Sequence, residues 1–404
     1  MKAVLLVAFL FLCIKADWSS PKEILGQDTH IKHFSTYLDK STLKTHIAYC
    51  TETTTDDGDT TQALKYALIS PANEVVADYE IAIGSGCRVA KIIADGKNLL
   101  IAFEGQRDFH LGVCNATNPK GCYDIYKTES QDGGMSWVLP TQVPRKDLSD
   151  IGDRMSPSFL LNPITKRLFL FYTQRPITSS ETKLAFVTRP PESTIFMTET
   201  ITKMDTEEKL IAVLSTIDNE RLMMHIFTER RGKTIHIFSD NPITWKESEV
   251  LDDKYHFSSF VTDPNVMPTV IMGIFTDGKG TFLAASDDHG KTWPEKYIKP
   301  VTDKYHRVSA AMVCICAKEL DLEFHIIMTS FMQTEQKYVT VKIPSGAVTI
   351  EEAPFMGIEN YGVFMPQLWC YTSAKTNAPA VKAFSYIWAK PNKPMLYVSD
   401  NEAI

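Results

Sequence analysis

Stretches of β-branched, aromatic and aliphatic residues recur along the chain, separated by polar, turn-forming segments. The strongest are Asn98 to Glu104, Arg167 to Tyr172, Arg221 to Phe227, Thr269 to Phe275, Glu323 to Phe331 and Val381 to Ala389. Each has the length of a strand, and few segments show the periodicity of an amphipathic helix. Their starts fall 69, 54, 48, 54 and 58 residues apart. A period of about fifty residues, with about four strands in each, predicts an all-β propeller of four-stranded antiparallel blades rather than a sandwich.

A second marker keeps register with the first. Ser130-Gln131-Asp132-Gly133-Gly134-Met135-Ser136-Trp137 fits the pattern S-x-D-x-G-x-[ST]-W, as does Ser286-Asp287-Asp288-His289-Gly290-Lys291-Thr292-Trp293. Ser239-Asp240-Asn241-Pro242-Ile243-Thr244-Trp245 is a copy one residue short. The carboxylate accepts bonds from turn amides, glycine takes the positive-φ position, and tryptophan packs beneath the turn. Degenerate strand ends at Thr188, Ser345 and Ser399 extend the series to six units, so a six-bladed ring is expected. Ser70 marks either a seventh unit or an N-terminal strand pair that closes the ring.

Composition adds a compartment. Residues 1–16 read as a signal peptide: Lys2, an apolar run from Ala3 to Ile14, and small Ala16 at the cut. The run is too short to span a bilayer, which takes about 20 residues. Residues 17–404 then form a single domain that is secreted or lumenal in the secretory pathway. A net charge of -7 excludes nucleic acid and anionic membranes as partners. Of eight cysteines, Cys13 lies in the signal. Cys114 and Cys122 bracket a short loop and are the first choice for a disulfide, and Cys314 and Cys316 share one face of a strand. No spacing suits a metal, and no cofactor is implied. His30 and His33 read as solvent-facing.

The repeated turn resembles the Asp-box of the sialidase (neuraminidase) family, also called the BNR repeat. Three further stretches carry the resemblance. Cys87-Arg88-Val89-Ala90-Lys91 stands where the family has Phe/Tyr-Arg-Ile-Pro. Ala102-Phe103-Glu104-Gly105-Gln106-Arg107 resembles Ala-Phe-Ala-Glu-x-Arg. Ser156 to Pro163, running into Arg167 to Thr173, resembles the family's second blade. The likeness covers residues 75 to 404 and is strongest in the first half.

That resemblance implies an exo-α-sialidase acting on sialylated or other anionic glycans. Arginines clamp the sugar carboxylate, because a guanidinium offers a permanent charge and a planar fork. A tyrosine activated by a glutamate is the nucleophile, and an aspartic acid protonates the leaving oxygen. Arg88, Arg107 and Arg230 match the substrate-binding positions. Tyr361 matches the nucleophile, just before an inner strand, and Glu208 stands near the activating position. Two parts depart from the pattern. Where the acid is expected, Pro119, Lys120 and Gly121 stand instead, leaving Asp108 as the nearest carboxyl upstream. Where a third clamp arginine is expected, only Gln336 and Lys337 are present. Asn115-Ala116-Thr117 is also a glycosylation sequon in the Cys114–Cys122 loop. A glycan-binding propeller without catalysis and a protein-binding scaffold are the alternatives.

Overall fold

The computed structural model describes residues 18–401 except 26–29, 55–56, 96–97, 108–121, 146–151, 176–181, 192, 204–208, 242, 251–255, 263–266, 278–279, 296–297, 303–307, 319–320, 331–335, 344–347, 353–354, 356–359, 374–378 and 390–392. The signal segment 1–16 therefore lies outside the described residues. No α-helix occurs among those described.

The strands form four-stranded antiparallel sheets, as the repeat predicts, and each sheet is one blade. The inner strands of successive blades touch in turn, and the last touches the first, which closes a ring. Blade 1 spans His30–Ala82, blade 2 Ala90–Gln142, blade 3 Asp153–Lys203 and blade 4 Lys209–Glu249. Blade 5 spans His256–Thr302 and blade 6 Val308–Glu352. Blade 7 joins Asn360–Asn401 to the N-terminal strand Lys22–Leu25. Among the described residues the sheets number seven, one more than the six-bladed ring expected: the stretch ending near Ser70 forms a full blade, His30–Ala82, instead of a closing strand pair.

The packing explains why the sequence shows apolar runs instead of simple alternation. A middle strand is covered on both faces by neighbouring blades. In Asn98–Gln106, Ile101 and Phe103 pack toward blade 1, while Leu100 and Ala102 pack toward blade 3. An apolar cluster of this kind fills each interface between neighbouring blades around the ring.

The predicted turns join the third and fourth strands of their blades. Asp132 Oδ1 accepts from the amides of Met135 and Ser136, both at 2.9 Å, and from Ser130 Oγ at 2.8 Å. Asp288 repeats this with Thr292 and Ser286. In the short copy Asn241, not Asp240, takes the role, accepting from Ile243 and Thr244. The tryptophans reach to the preceding blade: Trp137 packs at a tilt against Tyr66, and Trp245 lies edge-on to Phe171 and Phe186.

A disulfide that spacing did not suggest joins Cys50 of blade 1 to Cys87 at the entry to blade 2, with Cα atoms 5.3 Å apart. Cys122 and Cys370 are disulfide-bonded as well. Cys114, the expected partner of Cys122, lies outside the described residues, as does Asn115.

Candidate functional site

Inner strands begin, and second strands end, on one face of the disc. Near these starts the ladder slips in blade 1 between Ile31 and His33, and in blade 3 between Met155 and Ser158. Blades 4, 5, 6 and 7 slip at Leu210/Ala212, Phe257/Ser259, Val308/Ala310 and Asn360/Gly362. Such bulges break the strict alternation of side chains and re-aim them at the rim of a site.

Arg88 stands on this face, just before the inner strand Ala90–Asp95. Its backbone is stitched to the neighbouring strand: its amide donates to Glu104 O at 3.1 Å, and Val89 O accepts from the Glu104 amide. The guanidinium lies 4.1 Å over the Tyr123 ring, with Nε 3.8 Å from Glu104 Oε2. The side chain is nevertheless 44% exposed, so it is held from behind and open in front. Glu104 itself is buried, and its Oε1 accepts from the Ser156 amide at 2.6 Å. Burial pushes its carboxyl above the ordinary range. The Ser156 amide and Arg88 pull it down, and Asp153 pushes it up again. Ser156 has φ 58°, a left-handed conformation that aims this amide at the carboxylate. Asp153 Oδ1 accepts from the Tyr123 amide at 2.9 Å.

Arg107 is treated differently. It is buried, and its Nε donates to Asp124 Oδ2 at 3.0 Å while Nη2 donates to Gly152 O at 2.9 Å. Asp124 is fully buried and takes two further arginines. Arg145 Nη2 lies 2.8 Å from Oδ2, and Arg154 Nε bonds Oδ1. Gln142 donates to the same carboxylate. Three guanidiniums thus enclose a carboxylate that belongs to the protein. Beside Arg107, between blades 1 and 2, a cavity of about 440 Å³ is lined by Ser85, Gln106, Phe103 and Tyr126.

Arg230 ends the second strand of blade 4 and turns to the outer strand Lys246–Glu249, with Nη1 2.5 Å and Nη2 3.2 Å from Glu247. Tyr361 is the second residue of the inner strand Asn360–Thr372, at the slip in its ladder. The sequence put Tyr361 just before the inner strand, whereas the strand begins at Asn360 and includes it. Glu208 and Asp108 lie outside the described residues. His30 is exposed as expected, but His33 is half-buried on an inner strand, where its Nδ1 accepts from the Ala90 amide at 3.4 Å. Burial, with the charge of Lys91, pushes its pKa down to about 3.

The sequence reading did not single out Glu104, Tyr123, Asp124, Arg145, Asp153 or Arg154. An acidic residue inside an otherwise apolar strand was the signal for Glu104, because burying a carboxylate costs too much without partners.

No family model and no curated protein matches the chain. Solved structures do. NanB, a sialidase from Streptococcus pneumoniae, aligns with a TM-score of 0.51 at 8% identity, covering 95% of this chain and 93% of the other. The polysaccharide lyase Uly1 aligns at 0.57 and 11% identity, over 91% and 89%. An α-L-arabinanase from Penicillium chrysogenum aligns at 0.51 and 11% identity, over 95% and 99%. These likenesses show the fold.

Proposed function

We propose that this chain is a secreted, glycan-recognising propeller that takes a terminal anionic sugar, sialic acid foremost, on the face where the inner strands begin. One observation carries the reading. Arg88 is the arginine of the predicted set that is braced from behind by Glu104 and Tyr123 yet open to solvent. A guanidinium held in this way accepts a sugar carboxylate without having to be ordered first. Support comes from the fold neighbours, among them the sialidase NanB, a polysaccharide lyase and an arabinanase. The Cys50–Cys87 disulfide supports passage through an oxidising compartment.

The closest named chemistry is exo-α-sialidase, with Tyr361 as nucleophile, Glu208 activating it and Asp108 as proton donor. A second reading, binding without cleavage, is favoured by the engagement of Arg107 by Asp124 and of Arg230 by Glu247. The test measures sialyllactose binding and cleavage of an aryl sialoside by wild type, Arg88→Ala and Tyr361→Phe. Wild type is expected to bind, and Arg88→Ala to lose roughly 10- to 100-fold in affinity with its charged hydrogen bonds. If Tyr361 works without a positioned acid, an aryl sialoside is cleaved faster than a natural sialoglycan, because general acid help is worth roughly 10²–10⁴-fold. Tyr361→Phe then abolishes turnover while binding persists. No binding by wild type overturns the proposal.

A further inference from the structure

We propose that Glu104 is the positioning residue of Arg88 and that its proton gates capture of the anionic sugar, so that binding is tighter in acid than at neutral pH. The inference rests on the reading that Arg88 meets the sugar carboxylate, and it deepens that reading.

The geometry gives Glu104 two distinct oxygens. Oε1 is tied to blade 3 by the Ser156 amide at 2.6 Å. Oε2 faces Arg88 Nε at 3.8 Å, close enough for charge pairing but beyond a hydrogen bond. The guanidinium cannot retreat, because the Tyr123 ring lies 4.1 Å beneath it. The carboxylate of Glu104 and the carboxylate of an incoming sugar therefore compete for one positive charge.

Charged and titratable groups surround Glu104 and its arginine from three segments. Arg88 comes from the segment before the inner strand of blade 2. Asp153 comes from the start of blade 3, and Tyr123 begins the third strand of blade 2 beneath Arg88. Arg88 favours the ionised carboxyl, while burial and Asp153 favour the neutral one. Burial leads, so Glu104 takes its proton at a higher pH than a free glutamate does.

With Glu104 ionised, the pair is neutral and offers an anion little. With Glu104 protonated, Arg88 carries an unopposed charge toward the ligand. By linkage, an anion bound at Arg88 must in turn favour the proton on Glu104, so binding takes up a proton. Affinity then falls as pH rises through the titration of Glu104 and levels off above it.

Calorimetry of sialyllactose binding between pH 4.5 and 8, in buffers of different ionisation enthalpy, reads both effects. Wild type is expected to lose roughly tenfold in affinity across this range, within the span usual for coupled sites, with proton uptake near the midpoint. Glu104→Gln copies the shape of the neutral acid. It is expected to hold the acid-side affinity at every pH and to abolish the uptake. A residue that merely supported the fold would weaken binding equally at all pH values when changed. In the free protein, Arg88→Ala is expected to move the carbon-13 titration of the Glu104 carboxyl upward, since a stabilising charge is gone. If that titration does not move, or if Glu104→Gln keeps the wild-type pH dependence, the inference fails. Absence of sialyllactose binding at every pH, while acetate still perturbs the Arg88 Nε–H signal more strongly in acid, overturns the sugar reading alone.

Discussion

At the scale of single residues the decisive feature is how each arginine is used. Arg88 is braced and open, whereas Arg107, Arg145 and Arg154 converge on Asp124. Asp124 sits at the start of a strand, with no solvent to screen it. Removing a buried charge leaves its partners uncompensated, and such losses typically cost about 3–5 kcal/mol. Asp124→Ala is therefore expected to destabilise by at least that amount, measured by urea unfolding. Asp124→Asn keeps the shape and several hydrogen bonds but also loses the charge, so it is expected to be destabilised as well, though less. If the alanine variant unfolds like wild type, the cluster is not the hub described. The sequence made Arg107 legible as an important residue but not what it binds, since its carboxylate partner lies on the next strand and a second guanidinium comes from the next blade.

At the scale of elements, the turns between third and fourth strands couple neighbouring blades. Gly134 has φ 94°, and a Cβ there would stand 2.1 Å from the Tyr66 hydroxyl of blade 1. Gly133 has φ 72° with open space around it. Gly133→Ala is expected to cost only backbone strain, about 1 kcal/mol, and Gly134→Ala distinctly more, toward about 3 kcal/mol. Denaturation midpoints of the two variants give the comparison. The turn at His289 and Gly290 is joined to blade 4 by a chain of buried histidines. Gly290 O accepts from His236 Nδ1 at 3.1 Å, so His236 Nε2 must accept from His225 Nδ1 at 3.0 Å. His225 Nε2 then accepts from the Thr216 hydroxyl at 2.7 Å, which in turn accepts from His289 Nδ1 at 2.8 Å. Nitrogen-15 spectra should show all three rings neutral with the proton on Nδ1. Burial, above all, pushes His236 down to about 4 and lowers His225 and His289. Unfolded histidine titrates near 6.5. Below that pH the unfolded chain takes up protons that the folded chain refuses, so stability falls from about pH 6.5 to about pH 4. The shift at His236 alone corresponds to roughly 3 kcal/mol at its limit. A melting temperature unchanged between pH 7 and pH 4 would contradict this.

At the scale of the molecule the ring is closed by the N-terminal strand. Lys22 pairs with Val398 and Leu25 with Leu396, while Trp18 bridges Asn401. Ile24 and Leu25 are buried in the cluster between blades 7 and 1. Each contributes about 1.5–3 kcal/mol on burial, and together this is a large fraction of a typical net stability of about 5–15 kcal/mol. Deleting residues 18–25 also exposes the edge of Lys393–Asn401, an open template for aggregation. The truncated protein is expected to melt many degrees lower or to associate, as measured by calorimetry and light scattering. The predicted signal cut after Ala16 leaves this strand whole.

The sequence by itself determined the strands, their spacing and the turns between them, because those depend on groups within about eight residues of one another: Ser130 with Asp132, Asp132 with Ser136. It also put Arg230 at the end of a second strand, just before a turn. The tertiary structure decided the rest. The first blade carries no tryptophan turn, so it took the closing contact between blades 7 and 1 to show a full sheet at His30–Ala82. Cys50 finds Cys87 only because adjacent blades bring them together. Arg107 points inward to Asp124, Arg230 outward to Glu247, and Arg88 remains open against Glu104. Those three directions depend on which carboxylate the twist of each blade and the packing of its neighbour bring within reach, a long-range outcome that no local pattern encodes.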